Sequence, residues 1–119
     1  MPLVPDGDGF RLDRDRLAGA VTAKTSLILV NSPHNPTGTV LSDGDLAEIA
    51  RLCIEHDIVA VTDEVYEHLL FDGRAHRPLA TFPGMRERTI KIGSAGKIFS
   101  MTGWKVGFAC AAPQLTTAF

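Results

Sequence analysis

Ser26-Leu27-Ile28-Leu29-Val30-Asn31-Ser32 and Ile58-Val59-Ala60-Val61-Thr62-Asp63-Glu64 decide how this chain is read. Each opens on a continuous apolar run and stops abruptly at polar residues. Continuous rather than alternating apolar character predicts strands buried on both faces, as in a parallel sheet. Between the two runs, Ser42 is placed to start a helix, with Asp45 three residues on as its capping-box partner. Leu46, Ile49, Ala50, Cys53 and Ile54 then form an apolar stripe at helical spacing, ending near His56-Asp57. Strand, helix, strand is the βαβ rhythm, and it points to an α/β fold with a mostly parallel sheet.

Working outward, Asp13 is positioned to cap a helix reaching about Ala23, with Leu17, Ala20 and Val21 on one face. Met1 to Gly9, rich in Pro, Gly and Asp, reads as an irregular lead-in. Glu64 to Phe71 reads as one or two helical turns closed by Asp72-Gly73-Arg74. Ala75 to Arg88, interrupted by Pro78 and Pro83, reads as a surface connection with a short helix. Thr89 to Gly93 is a third strand. Trp104 to Ala111 is a fourth, and its short link to the third suggests an antiparallel neighbour. Pro113 opens a final helix that runs into the chain end at Phe119.

With 119 residues, the chain suffices for one domain. Its 45% hydrophobic and 22% charged residues are those of an ordinary globular domain, without a disordered or fibrous bias. A formal net charge of −2 leaves no basic footprint for nucleic acid. No apolar run approaches the roughly 20 residues needed to span a bilayer, so no membrane partner is expected. The start, Met-Pro-Leu-Val-Pro-Asp-Gly-Asp-Gly, has neither a basic nor an apolar segment of the secretory type, and a cytoplasmic location is expected. Cys53 and Cys110 stand far apart and read as two buried, reduced thiols. His34, His56, His68 and His76 show no ligand spacing with carboxylates or cysteines. Glu64 and Glu67 fall on different sides of a helical turn, so no metal site is expected.

Chemistry gathers at the strand ends. Asn35, Asp63 and Lys97 each follow the end of a different strand, about one βα unit apart. In open α/β sheets, ligands bind at the carboxyl ends of the strands. The turn Pro33-His34-Asn35-Pro36-Thr37-Gly38 is stiffened by its prolines and holds Asn35 at such an end. Lys97 follows the small-residue turn Ser94-Ala95-Gly96. A partly desolvated lysine in that place suits Schiff-base chemistry.

Three stretches, Asn31 to Gly38, Thr62-Asp63-Glu64-Val65-Tyr66, and Ser94 to Lys105, occur in this order. Together they resemble the class I/II aminotransferases, fold type I enzymes that use pyridoxal 5′-phosphate, and within them the kynurenine, methionine and aspartate aminotransferase branch. The resemblance runs from about Leu12 to the chain end. It implies a three-layer αβα architecture, with residues 1–119 as part of the cofactor-binding large domain. It places the N-terminal part and a C-terminal small domain outside this sequence. The helix that cups the phosphate, the aromatic residue stacked on the cofactor ring and the arginine that grips the substrate carboxylate would lie in those segments. Amino acids and 2-oxo acids are the implied substrates, and a homodimer the implied state of a full-length protein.

The same resemblance implies a role for each candidate residue. Lys97 bonds to the cofactor aldehyde and shuttles a proton at the substrate Cα. Asp63 pairs with the pyridine nitrogen and keeps it protonated. Tyr66 and Asn35 hydrogen-bond the phenolic oxygen, and Ser94 and Lys105 bind the phosphate. Lys105 departs from the arginine common at that position, offering a point charge in place of a bidentate fork. Gly96 has no implied role beyond the turn, and Trp104 reads as packing.

Three other readings compete with this one. Gly93-Ser94-Ala95-Gly96-Lys97 resembles a nucleotide phosphate loop, but position 91 is Lys where a glycine is needed and position 98 is Ile where Ser or Thr is needed. A carbon–sulfur β-lyase shares the fold and the lysine, although Thr37 after Pro36 favours an aminotransferase. An inactive remnant of the fold is the third.

Overall fold

The computed structural model describes residues 3–117. A hairpin of β1 (Leu3–Asp6) and β2 (Gly9–Leu12) leads into α1 (Arg14–Ala20). Then follow β3 (Leu27–Asn31), α2 (Asp43–Glu55), β4 (Val59–Asp63), β5 (Thr89–Ser94), the single-turn α3 (Ala95–Ile98), β6 (Gly107–Cys110) and the single-turn α4 (Pro113–Thr116). The main sheet has the order β3-β4-β5-β6. β3, β4 and β5 are parallel and β6 runs antiparallel to β5. The expected α/β order and mostly parallel sheet are therefore present, including the antiparallel fourth strand.

Local chemistry sets the helix starts. The Asp13 carboxylate accepts the Arg16 amide at 3.0 Å, capping α1. At α2 the capping box is complete: Ser42 Oγ accepts the Asp45 amide at 3.2 Å, and Asp45 Oδ2 accepts the Ser42 amide at 3.0 Å. Arg14 adds an ion pair to Asp45 at 2.7 Å, joining the two helix starts. Burial pushes the Asp45 carboxyl up, but the hydrogen bonds from Ser42 and Arg14 outweigh it and leave it below its usual range. Ser42→Ala is expected to lower stability by about 0.5–2 kcal/mol, read as a shift of the urea midpoint. An unchanged midpoint would show that the cap adds nothing.

The core lies between α2 and one face of the sheet. Leu46, Ile49, Ala50, Leu52 and Cys53 of α2 meet Ile28 and Val30 of β3 and Ala60 of β4, all buried. Burial is the main source of stability here, at about 25 cal/mol per Å² of apolar surface. At the far end of α2, Asp57 takes φ +52° and the Ile58 amide bonds back to the Cys53 carbonyl at 2.8 Å. This left-handed turn satisfies a helix-end carbonyl and swings the chain into β4.

Several expectations are corrected. Leu3–Asp6 is a strand rather than an irregular lead-in, because Gly7 at φ +56° closes a two-residue turn that pairs Asp6 with Gly9; Met1 and Pro2 lie outside the described residues. α1 stops at Ala20 instead of Ala23, where the Val21 amide bonds to the Ala18 carbonyl and Thr22 enters a hydroxyl-stabilised turn with Thr25. β3 is buried on one face only, since α2 covers Ile28 and Val30 while Leu27 and Leu29 remain 50% and 59% exposed. Ile54 sits at the edge of the α2 stripe and is half exposed. Glu64 to Leu69 forms hydrogen-bonded turns in place of a helix. The turn at Asp72-Gly73 is present, with both residues at positive φ. Residues 75–88 are not a surface connection: two 3₁₀ turns, Leu79–Thr81 and Arg86–Arg88, drive Leu79, Phe82 and Met85 into the core. Cys53 is buried as expected, and burial pushes its thiol up to about 11, which keeps it protonated and inert. Cys110 is exposed, because β6 is the edge strand and all four of its residues face solvent. The α4 turn begins at Pro113 as expected, and its continuation toward Phe119 falls outside the described residues.

Candidate active site

The carboxyl ends of β3, β4 and β5 lie side by side, and each delivers a polar turn. β3 ends at Asn31, whose side chain ties two of these turns together. Its Nδ2 donates to the Asp63 carbonyl at 3.2 Å, and its Oδ1 accepts the Asn35 amide at 3.0 Å. The turn beyond is braced internally. The His34 amide donates to the Thr39 carbonyl at 2.8 Å and the Gly38 amide to the His34 carbonyl at 2.7 Å, with Gly38 at φ +71°. His34 Nδ1 and the Thr37 hydroxyl are 2.8 Å apart. Ser32 Oγ, buried, accepts the Leu41 amide at 3.1 Å and fastens the exit of the turn. Both proline peptide bonds in the turn, Ser32-Pro33 and Asn35-Pro36, are cis.

β4 ends on Asp63, a half-buried carboxylate that accepts the Val65 amide at 3.3 Å and forms no ion pair among the described residues. Tyr66 stands in the turn that follows. Asn35 and Tyr66 share the wall of an open cleft of about 360 Å³, with Pro33, His34, Pro36 and Phe71. β5 ends on Ser94, and α3 lifts Lys97, which is exposed rather than partly desolvated as expected, so that its Nζ lies 5.4 Å from the centroid of the Tyr66 ring. That separation is within cation–π range. Gly96 does more than turn the chain: a Cβ there would stand 3.2 Å from the Thr102 Cα, so glycine lets residues 101–104 fold against α3.

Asn35, Asp63, Tyr66 and Lys97 are thus brought to one edge of the sheet. Ser94 and Lys105 are neighbours of a different kind. The β5–β6 register sets Ser94 opposite Gly107, and the Ala95 amide bonds to the Val106 carbonyl at 3.1 Å. Lys105 therefore arrives beside Ser94 along the chain, exposed and in the left-handed region at φ +52°. None of Asp63, Ser94, Lys97 and Lys105 lines the Asn35–Tyr66 cleft. A larger groove of about 610 Å³ lies elsewhere, around Arg11, Asp13, Arg14, Ser42 and Asp45, and holds none of the candidate residues.

Two features escaped the sequence reading. Asn31 acts as the link between turns, and its only sequence signal is a polar residue ending an apolar run. Glu64, Glu67, His76 and Lys91 form a charged network, although the sequence sets the two glutamates on different sides of a helical turn and gives His76 no ligand spacing with carboxylates. The chain turns back at Glu64 instead of coiling, so both carboxylates reach the same partner. Glu64 is buried, with Oε2 2.7 Å from His76 Nε2 and 3.4 Å from Lys91 Nζ. Lys91 also hydrogen-bonds Glu67. Ligand atoms of Glu64, Glu67 and His76 lie within 4.8 Å of one another, and the Lys91 ammonium is the cation they surround.

Burial pushes Glu64 up, but the His76 hydrogen bond and the charges of His76 and Lys91 prevail and hold it below its usual range. Lys91 is likewise pushed down by burial and raised overall by Glu67 and Glu64. A carboxyl lowered in the folded state stabilises above its ordinary value of 4.5, and that contribution is lost as pH falls through the folded value. Urea midpoints are expected to fall as pH drops below this value, and Glu64→Gln should flatten the fall while lowering the midpoint at neutral pH. Parallel curves for the two proteins would refute the assignment to Glu64.

The family model described as "Aminotransferase class I and II" matches residues 2–119. The chain belongs to the class I and II aminotransferases. Members of this family use pyridoxal 5′-phosphate. Over 115 residues this aminotransferase-family chain is 57% identical to the probable N-succinyldiaminopimelate aminotransferase DapC of Mycobacterium tuberculosis, covering 97% of this chain and 29% of that protein. It is 50% identical over 99 residues to human kynurenine–oxoglutarate transaminase 1, covering 83% of this chain and 24% of that one. The solved structure of the M. tuberculosis N-succinyldiaminopimelate aminotransferase superposes with a TM-score of 0.95 at 56% identity, over 98% of this chain and 30% of that one. The chain thus spans between 24% and 30% of the length of these relatives. No helix among the described residues is long and apolar enough to cross a membrane.

Proposed function

We propose that this chain carries the cofactor-binding part of a pyridoxal-phosphate-dependent aminotransferase, acting on amino acids and 2-oxo acids. The observation that carries the reading is Lys97 Nζ poised 5.4 Å from the Tyr66 ring centre, just past the carboxyl end of β5, the strand that pairs in parallel with the one ending on Asp63. The donor set fits the cofactor: a primary amine, a carboxylate without an ion-pair partner, a phenol, an exposed amide and a hydroxyl next to a lysine. When bound, pyridoxal phosphate supplies an aldehyde that captures amino groups and a ring that takes up electrons.

The chain's own residues would do the rest. Lys97 offers the attacking amine and, once displaced by the substrate amine, carries a proton at its Nζ to and from the substrate Cα. Asp63 would hold a positive charge at the ring nitrogen through its carboxylate, whose only hydrogen-bond partner among the described residues is the Val65 amide. Tyr66 and Asn35, on the shared cleft, donate to the phenolic oxygen. Ser94 gives a hydroxyl and Lys105 a point charge to the phosphate, a reading supported by the β5–β6 register, which sets Ser94 opposite Gly107, two residues on from Lys105. A cytoplasmic homodimer acting on both substrate classes is the corresponding proposal for the complete protein.

The test is the amino-group balance. Purified protein with pyridoxal phosphate is given an amino acid panel with and without a 2-oxo acid, and products are read by mass spectrometry. Transfer that requires the 2-oxo acid supports the proposal. Pyruvate and ammonia formed without it would assign a carbon–sulfur β-lyase, and no product would refute activity in this chain.

A further inference from the structure

We infer that Glu64, Glu67, His76 and Lys91 are positioning residues that hold the Asp63–Tyr66 turn in register for the cofactor, an inference that rests on the aminotransferase reading above. The four lie within a short span of the candidate site without belonging to it. Asp63 is followed directly by Glu64, and Tyr66 directly by Glu67, so each candidate residue is bracketed by a clamped neighbour. The main chain is pinned at the same points: the Glu64 amide donates to the Ile92 carbonyl at 3.0 Å and the Glu67 amide to the Glu64 carbonyl at 2.9 Å.

Side chains add direction to those pins. Lys91 comes from β5, the strand that carries Ser94, and reaches both glutamates. His76 comes from beyond the Asp72-Gly73 turn and bonds Glu64, which ties together the two ends of the loop whose Phe71 shares the cleft wall with Tyr66 and Asn35. Glu64 is 3% exposed. Burying a carboxylate is costly, and a well-packed apolar residue in its place is often at least as stabilising. What the charged network supplies, and an apolar cluster lacks, is a fixed orientation of the turn relative to β5.

The experiment compares the parent chain with Lys91→Met, Lys91→Arg, Glu67→Gln and Lys97→Ala. Pyridoxal phosphate affinity is titrated by absorbance at a temperature where each variant is folded. Thermal unfolding and amide hydrogen exchange are measured without cofactor. Lys91→Met and Glu67→Gln are expected to weaken cofactor binding by about tenfold, the scale on which outer-shell partners act on ligand affinity. Exchange should quicken at the Glu67 and Leu69 amides of the turn while Val61 in β4 stays protected. Lys91→Arg, which keeps the charge, should restore most of the affinity.

Unchanged affinity in folded Lys91→Met and Glu67→Gln, with specific binding in the parent, overturns the inference and leaves the aminotransferase reading intact. Should Lys91→Met fail to fold, Glu67→Gln decides alone, because it keeps the side chain's size and its carboxylate is less deeply buried than that of Glu64. A parent chain that binds no more cofactor than Lys97→Ala overturns both readings together.

Discussion

Lys97→Ala is expected to abolish site-specific pyridoxyl labelling of this chain. The assay mixes protein with pyridoxal phosphate, reduces with borohydride and maps adducts by mass spectrometry. A carbon–nitrogen bond to one side chain is lost completely when that amine is removed, so the effect is all or none. The chain has three other lysines with which to gauge specificity, Lys24, Lys91 and Lys105. Lys91 is held protonated by Glu67 and Glu64, and an ammonium is no nucleophile. Lys24, exposed ahead of the amino end of β3 and so at the opposite end of that strand from the site, reports the background. Lys105, proposed above as a phosphate ligand, reports any capture by an amine at that position. An adduct at Lys97 exceeding Lys24 by about tenfold would correspond to about 1.4 kcal/mol of preference for a formed site. Even labelling across the lysines, or labelling that survives Lys97→Ala, would refute the assignment of Lys97.

Met85→Ala is expected to cost about 2–5 kcal/mol of stability. Met85 is fully buried, and it enters the core from a segment whose sequence reads as surface. Domains of this size are stable by only about 5–15 kcal/mol, so the loss is a large share of the total. Gly84, at φ +77°, allows the reversal that turns Met85 inward, and the Arg88 side chain then fastens the segment by bonding the Cys53 carbonyl at 3.3 Å and Asp57 at 3.0 Å. Arg86→Ala, an exposed neighbour, should change stability by no more than about 0.5 kcal/mol. Urea unfolding of both variants separates the outcomes. Equal, small effects would show that residues 75–88 do lie on the surface.

Much of the fold and most of the candidate site were legible because the signals are local. The Asp13 and Ser42 caps depend on groups three residues away, and the α2 stripe depends on helical periodicity. The strands are marked by apolar runs that stop at Asn31, Asp63 and Ser94. Parallel pairing of those strands puts their ends in a row, so the neighbourhood of Asn35, Asp63 and Lys97 follows from order alone. Tyr66 joins them because its turn immediately follows β4.

Tertiary structure decided what depends on distant partners. Which face of β3 is covered follows from where α2 lies, and apolar composition cannot tell Ile28 and Val30 from Leu27 and Leu29. Glu64 meets His76 across 12 residues and Glu67 meets Lys91 across 24, separations at which no periodicity links the members of a pair. The inward course of Leu79, Phe82 and Met85 needed the core space beside α2, to which their proline-interrupted sequence gives no pattern. Chemistry written within a few residues is readable along the chain, whereas burial and charge pairing are set only when remote segments meet.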